Sequence, residues 1–178
     1  MHKDVVRSDR NDAYAHDRRV GAARVLVTTR VGGTSLPPYD AANLALHVGD
    51  DESAVRRNRA RLAEQIGVRH VQFMHQVHGR DVAVVGSAVD DDVADVDALI
   101  TTTPGACIAV LVADCVPVII TGERSVAVVH SGRPGVAADV VGATVDRIRE
   151  HDAGPLQAFL GPAVCGRCYE VPADMRAE

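Results

Sequence analysis

Three short segments of the sequence place metal-binding or nucleophilic side chains beside glycine or proline at the end of an apolar stretch. They are Met74–Gly79 (MHQVHG), Ala113–Pro117 (ADCVP) and Val129–Gly135 (VHSGRPG). Side chains at strand ends project into the crevices where open sheets bind ligands. The sequence therefore predicts that histidine, cysteine and aspartate side chains from these segments line a site.

The two-residue period of an extended chain narrows the choice within these segments. His75 and His78 are three residues apart and point to opposite faces of a strand, so we choose His78, which stands next to a glycine. Asp114 points away from the face that carries Cys115 unless the strand bends there, which the nearby proline allows. His130 ends a third apolar strand, just before a sharp turn.

His78, Cys115 and His130 together offer two imidazoles and one thiolate. With three protein ligands zinc keeps an open position for water, and it lowers the pKa of that water from about 15.7 towards about 7. The same donors also suit copper. The 37 residues from His78 to Cys115 and the 15 from Cys115 to His130 match no local zinc motif. A core cysteine with surface histidines is therefore an alternative interpretation of the same residues.

The segment SGRPG, which includes Ser131 and Arg133, precedes a predicted helix. The first N–H groups of a helix have no partner within the helix and can bind an anion, and Arg133 adds a positive charge nearby. The segment therefore predicts a phosphate site, with a plain glycine–proline turn as the alternative.

Cys165 and Cys168 form a single C-x-x-C motif. A structural zinc is not expected there because no second cysteine pair accompanies it. A thioredoxin-type redox role is not expected either, since the motif follows a strand and precedes no apparent helix. We therefore interpret both residues as structural or loop cysteines.

The pattern of apolar residues predicts an α/β domain with a mixed sheet. An amphipathic helix is expected at 51–66, where the acidic start suits the helix dipole. Another is expected to begin at Pro134-Gly135 and to end before Gly154-Pro155. Short strands rich in Val and Ile are predicted at 24–29, 71–75, 81–85, 98–101, 107–113, 116–120, 125–130 and 156–160. Residues 90–97, which include five Asp, predict an exposed acidic loop. We expect residues 1–22 to form a flexible arm and 23–178 to form one domain.

The composition indicates a soluble globular protein. Of the 178 residues 47% are hydrophobic, but no run reaches the roughly 18 continuous apolar residues of a membrane helix. The net charge of −5 argues against nucleic acid as a partner, because phosphate backbones need a basic surface. The polar N-terminus lacks the apolar centre of a signal peptide. We therefore expect a cytoplasmic protein without membrane contact, whose cysteines stay reduced.

In chain order, a series of motifs resembles the YfiH-type laccase-domain family. The motifs are TTRVGGTS, YDAANLALHVGDD, HQVHGRDV, DALITTTPG, VADCVPV, VVHSGRPG and GPAVCGRCYEV, and they span about residues 24–172. Members have been called multicopper polyphenol oxidases, peptidoglycan editing factors and zinc-dependent purine nucleoside phosphorylases with adenosine deaminase activity. The resemblance implies a layered fold in which helices flank a mixed sheet, similar to toxin-related cysteine hydrolases.

The resemblance also implies roles for individual residues. His78, Cys115 and His130 match the histidine of the family's QVHG motif, the cysteine of its ADC motif and the histidine of its HAG motif, which would hold the catalytic metal. Arg30 in T-x-R-x-G-G and Asn43 in N-L-x-L match positions near the substrate pocket.

The sequence departs from the family pattern at two places. The common HAGWRG reads HSGRPG here, so that the usual arginine is Pro134 and Arg133 stands one place earlier. We expect Arg133 and Ser131 to contact substrate in its stead. Family members usually continue past the CYEV motif with another helix, whereas this chain stops at Glu178, so we expect the C-terminal extension to be lacking.

Four functions compete at this point, and the resemblance ranks them. The first is a zinc-dependent purine nucleoside phosphorylase with adenosine deaminase activity, taking phosphate and adenosine, inosine or methylthioadenosine. In it Asp114 would support the metal ligands or carry a proton. The second is a copper polyphenol oxidase. The third is a metal-free amidase acting on peptidoglycan precursors, with Cys115 as nucleophile and a histidine as base. The fourth is a truncated domain that binds a nucleoside or a partner without turnover.

Overall fold

A computed structural model describes residues 13–86, 89, 91–173 and 175 of the chain. The strands are β1 (Tyr14–Val20), β2 (Ala23–Thr28), β3 (Val82–Val84), β4 (Ala98–Thr101), β5 (Val116–Thr121), β6 (Val126–Ser131) and β7 (Gln157–Leu160). The helices are α1 (Glu52–Ile66), α2 (Arg133–Ala137) and α3 (Val140–Arg149). None of these helices is long and apolar enough to span a membrane.

The chain divides into two units. The first contains Arg24–Leu62 and the residues up to Arg19, and so holds most of the β1–β2 pair and of α1. The second contains Ala63 onward together with the β1–β2 connection, Val20–Ala23. It carries the larger sheet, with α2 and α3.

Helix α1 begins where an aspartate can satisfy its free N–H groups. The Asp51 carboxylate accepts a hydrogen bond from the Ala54 N–H at 2.7 Å, and Glu52 adds negative charge at the positive end of the helix. Ala54 and Val55 are buried. Asn58 is buried on the same helix and accepts from the Thr34 N–H at 2.8 Å, which ties the preceding loop to the helix. The helix predicted at 51–66 is confirmed.

The larger sheet has five strands in the order β3-β4-β6-β5-β7. Strands β3 and β4 pair in parallel, whereas β4–β6, β5–β6 and β5–β7 are antiparallel. Alternate residues of the central strands pack with Val140 and Ile148 of α3 in one apolar core, namely Ala98, Ile100, Val118, Ile120, Ala127 and Val129. The predicted α/β fold with a mixed sheet is confirmed.

Two predicted strands are wrong. Residues 71–75 and 107–113 are irregular and hold isolated bridges, one of which joins Gln72 to Ile108. The Gln72 N–H donates to the Cys107 carbonyl at 2.9 Å, and the Gln72 carbonyl accepts from the Ala109 N–H at 2.9 Å. Further along, the Gln76 side chain takes the place of a backbone partner, since its amide donates to the Leu111 carbonyl at 2.7 Å. β-Branched composition alone could not reveal that side-chain amides do part of the pairing.

The second predicted helix is two helices. Asp139 separates α2 from α3 with a left-handed backbone (φ 61°, ψ 49°) and caps α3, where its carboxylate accepts from the Gly142 N–H at 3.1 Å. Aspartate tolerates this conformation and favours the cap position, so it ends one helix and starts another. The continuous helix expected from Pro134-Gly135 to just before Gly154 is therefore wrong at this point.

Two predicted loops also differ from the structure. Tyr14–Val20 form a strand, so the expectation of an arm without regular structure is wrong there; residues 1–12 lie outside the described residues. In the acidic segment, Asp90 lies outside the described residues and Asp91 and Asp95 are exposed. Asp97 is 0% exposed, so the exposed loop expected over 90–97 is wrong at its end.

Candidate metal centre

The structure brings together the side chains of His78, Cys115 and His130. One ligand atom from each lies within 4.8 Å of the others, and the Cys115 Sγ is 3.9 Å from the His78 Nε2. The two imidazole rings meet edge to face, with centroids 4.6 Å apart. Among the described residues, these three side chains form the cluster of His, Cys, Asp or Glu that could hold a metal ion.

The pairing of β5 with β6 explains how two of these side chains meet. His130 lies on β6 opposite Pro117, and Ser131 lies opposite Val116, the first residue of β5. Continuing that antiparallel register by one step sets Gly132 beside Cys115. The cysteine at the entry to β5 and the histidine near the end of β6 thus reach the same edge of the sheet.

Asp97 positions His78, the third side chain of the cluster. Its buried carboxylate accepts hydrogen bonds from the N–H groups of Val77, His78 and Gly79 at 3.2, 2.9 and 2.6 Å. His78 has a left-handed backbone (φ 61°), which a residue other than glycine adopts only when its surroundings hold it there. The three N–H bonds to one carboxylate supply that restraint.

The same carboxylate orients His130. The Asp97 Oδ1 lies 2.8 Å from the His130 Nδ1, and the His130 side chain is 4% exposed. With the proton on Nδ1 donated to Asp97, the Nε2 atom keeps its lone pair for a metal. The pattern of residue types missed Asp97. A signal was present, since this aspartate directly precedes the apolar strand β4, and a carboxylate beside a buried strand needs hydrogen-bond donors close by.

Gly132 leaves the space in which the ligands meet. A Cβ atom added there would lie 2.8 Å from the His78 Cδ2 and 2.9 Å from the Cys115 Sγ. The backbone of Gly132 is extended (φ −76°, ψ 167°), so its lack of a side chain matters for space and not for conformation. The cradle that this glycine leaves open suits a small ion.

The electrostatics of Cys115 fit a cation at this position. Burial raises the pKa of its thiol, and the carboxylates of Asp114 and Asp97 raise it further. Alone, the sulfur therefore stays protonated, whereas a divalent cation would favour the thiolate and compensate for the nearby negative charge. Two imidazole nitrogens and one sulfur are donors that zinc and copper accept. The residues present therefore fit a metal ion.

Asp114 is exposed and hydrogen-bonds to the Cys115 thiol. Residues 113–115 form a bend and not a strand, so the alternation that would have pointed Asp114 away from Cys115 does not operate. His75 lies outside the three-ligand cluster, as its Nδ1 is 2.8 Å from the Asp95 carboxylate.

Ser131 and Arg133 flank Gly132 at the end of β6. Ser131 is the last residue of the strand and is buried, whereas Arg133 is exposed and is the first residue of α2. The contact of either side chain with phosphate stays a prediction.

Arg30 and Asn43 belong to the first unit. The Arg30 Nε donates to the Asp40 carbonyl at 2.8 Å, and the Asn43 Nδ2 donates to the Asp50 carboxylate at 2.9 Å. Both side chains thus hold the loop between β2 and α1. Their contact with substrate stays a prediction.

Replacing Gly132 by alanine is expected to weaken zinc binding by about 10- to 100-fold, because the added methyl group pushes His78 and Cys115 apart. Isothermal titration with zinc measures the effect. Gly166→Ala is the matched control, since a Cβ there meets no atom within 4 Å. Equal zinc affinity in the two variants would show that Gly132 does not shape the site.

Comparison with known proteins places this site in a family. The family model described as multi-copper polyphenol oxidoreductase laccase matches residues 24–178. Purine nucleoside phosphorylase ORF3 of Streptomyces griseus is 48% identical over 166 residues, covering 89% of this chain and 68% of that protein. Purine nucleoside phosphorylase YfiH of Shigella flexneri is 41% identical over 154 residues, covering 84% of this chain and 62% of that protein.

A solved structure agrees with these relatives. YlmD from Geobacillus stearothermophilus has a TM-score of 0.76 at 34% identity, covering 84% of this chain and 61% of that chain. The chain thus spans 61% to 68% of the length of these three proteins. The resemblance in the motifs is confirmed: the chain belongs to the YfiH-type family described as multi-copper polyphenol oxidoreductase laccase.

Proposed function

We propose that this protein is a zinc-dependent purine nucleoside phosphorylase that also deaminates adenosine. The observation that carries the proposal is the convergence of His78, Cys115 and His130 around the space left by Gly132. The names of the relatives at 48% and 41% identity support the phosphorylase activity. Zinc is our choice of metal because a set of two nitrogens and one sulfur with an open position is typical of a catalytic zinc site.

In this proposal His78, Cys115 and His130 hold the ion. When bound, zinc supplies Lewis acidity and lowers the pKa of a coordinated water towards about 7. Asp97 keeps His78 and His130 in place through its bonds to the His78 loop and to the His130 ring. Asp114 is the proton carrier, because its exposed carboxylate contacts the Cys115 thiol at the edge of the cluster.

Phosphorolysis joins a phosphate oxygen to the ribose C1′ and breaks the bond from C1′ to the purine N9. The purine leaves with a proton on a ring nitrogen, so the site must bind an anion and a flat base together. We assign the phosphate side to Ser131 and Arg133, which stand one and three residues after His130 and so lie near this metal ligand along the chain. Adenosine, inosine and methylthioadenosine are the substrates proposed.

The raised pKa of Cys115 favours this proposal over a metal-free cysteine amidase. A nucleophilic cysteine needs a lowered pKa, which comes from a nearby positive charge or helix N-terminus. The His78 Nε2 lies 3.9 Å from the Cys115 Sγ, but burial and the carboxylates of Asp114 and Asp97 raise the pKa of this thiol. Such a sulfur suits a metal ligand better than a free nucleophile. For a multicopper oxidase, the single three-ligand cluster among the described residues offers too few donors.

The test is to incubate the zinc-loaded protein with adenosine, with and without phosphate, and to separate the products by chromatography. Adenine that forms only with phosphate supports phosphorolysis, and inosine that forms without phosphate supports deamination. A protein that holds one zinc ion and forms neither product contradicts the proposal. Turnover that survives complete chelation would point to the amidase, and oxygen uptake on a phenol after copper loading to the oxidase.

A further inference from the structure

Cys165 and Cys168 lie outside the metal cluster and are brought together by a turn. The Cys168 N–H donates to the Cys165 carbonyl at 2.9 Å, which folds the chain back over residues 165–168. The two Sγ atoms are 2.9 Å apart, and both residues are exposed to solvent. A sequence spacing that by itself indicated loop cysteines therefore produces two adjacent and accessible thiols.

The base of this turn is anchored to the sheet. The Gly161 N–H donates to the Pro117 carbonyl, and the Val164 N–H donates to the Asp114 carbonyl, both at 2.9 Å. These bonds continue the antiparallel pairing of β7 with β5 beyond the end of β7. Cys165 follows the last bonded residue directly, so the turn begins from a fixed point and the two thiols are held together.

The two sulfurs differ in their tendency to ionise. The thiol of Cys168 and the N–H groups of Arg167 and Cys168 lower the pKa of Cys165 by hydrogen bonding to its sulfur. The same contact with Cys165 raises the pKa of Cys168. Burial raises the pKa of Cys107, and burial with nearby carboxylates raises that of Cys115. Of the four cysteines, Cys165 is therefore the one that combines exposure with a favoured thiolate.

We propose that Cys165 and Cys168 form a redox-active dithiol that closes to an intramolecular disulfide by exchange with a low-molecular-weight disulfide. The Cys165 thiolate attacks one sulfur of the small disulfide, which releases one thiolate and leaves a mixed disulfide on Cys165. The sulfur of Cys168 then attacks Cys165 and releases the second small thiolate. The protein gives up two electrons, the small disulfide is reduced to two thiols, and the two cysteine protons end on them.

Trypsin offers a direct test, because Arg167 lies between the two cysteines. The folded full chain is treated with glutathione disulfide, its remaining thiols are alkylated under denaturing conditions, and the digest is analysed by mass spectrometry. We expect peptides 150–167 and 168–176 to be recovered joined by a disulfide that reduction separates. Recovery of both peptides unlinked, each with an alkylated cysteine, would overturn the proposal.

Single variants test the order of attack. Cys168→Ser should retain a stable mixed disulfide on Cys165, and Cys165→Ser should react with glutathione disulfide at least about ten-fold more slowly. Equal rates in the two variants would contradict the assigned nucleophile. A zinc ion retained by Cys165 and Cys168 in the Cys115→Ala variant would identify a metal site and overturn the redox role. None of these measurements uses nucleoside turnover. The redox proposal can therefore fail while the proposed function holds, and the reverse.

Discussion

Replacing Cys115 by alanine is expected to abolish zinc binding at micromolar protein concentration and to lower adenosine phosphorolysis by at least about 100-fold. The variant loses one of three ligands, and His78 and His130 alone leave the ion held by two imidazoles. Removal of a group that only supports a ligand costs about 10- to 100-fold in metal affinity, so loss of a ligand itself should cost more. Metal analysis of the purified protein and product chromatography measure the two effects.

Cys107→Ala is the matched control for this experiment. Cys107 is also a partly buried cysteine with a pKa raised by burial, but it is absent from the three-ligand cluster. The control should keep its zinc and its turnover. If Cys115→Ala kept both as well, the sulfur would not be a ligand. Thermal unfolding of both variants separates loss of metal from loss of the fold.

Replacing Asp97 by asparagine should lower zinc affinity by about 10- to 100-fold while the fold is kept. One carboxylate oxygen becomes an NH₂ group. If the amide oxygen still accepts from Val77 and Gly79, the NH₂ faces both the His130 Nδ1 and the His78 N–H, which loses its acceptor. The His130 Nδ1 must then accept a hydrogen bond, which moves the ring proton to Nε2 and blocks the metal-binding atom. Zinc titration measures the loss, and ¹⁵N NMR of the imidazole reports the change of tautomer.

Asp97→Ala should have a larger effect, because it also destabilises the fold. It leaves three backbone N–H groups and the His130 ring without their buried acceptor, at a cost of about 3–5 kcal/mol in the free energy of unfolding. Chemical denaturation measures this cost. Asp95→Asn is the control, since Asp95 bonds to the Nδ1 of His75 at the same distance of 2.8 Å but is exposed. Zinc affinity lowered equally by Asp95→Asn and Asp97→Asn would show that Asp97 has no specific role.

Elements whose stability is local could be predicted from the sequence. Helix α1 has a capping aspartate, an acidic first turn and an apolar stripe within the same segment, and its predicted bounds agree closely with Glu52–Ile66. Strand β4 is a fully buried apolar run with the predicted limits. In these segments short-range preference and burial favour the same structure, so residue order is sufficient.

Elements that depend on distant partners could not be predicted. The segment 107–113 has the composition of a strand, but its pairing is shared with the Gln72 backbone and the Gln76 side chain, far away in the sequence. Asp97 belongs to an acidic run that indicated an exposed loop. It is buried because three N–H groups and an imidazole, up to 33 residues away, compensate for the loss of hydration.

The sequence by itself determined the family, through the order of its motifs, and marked His78, Cys115 and His130 as candidate metal ligands. Only the tertiary structure decided that their ligand atoms lie within 4.8 Å of one another, around a glycine and above a buried carboxylate. The reason is physical: donor identity is a property of each residue, whereas proximity depends on strand register and on hydrogen bonds between residues distant in the chain.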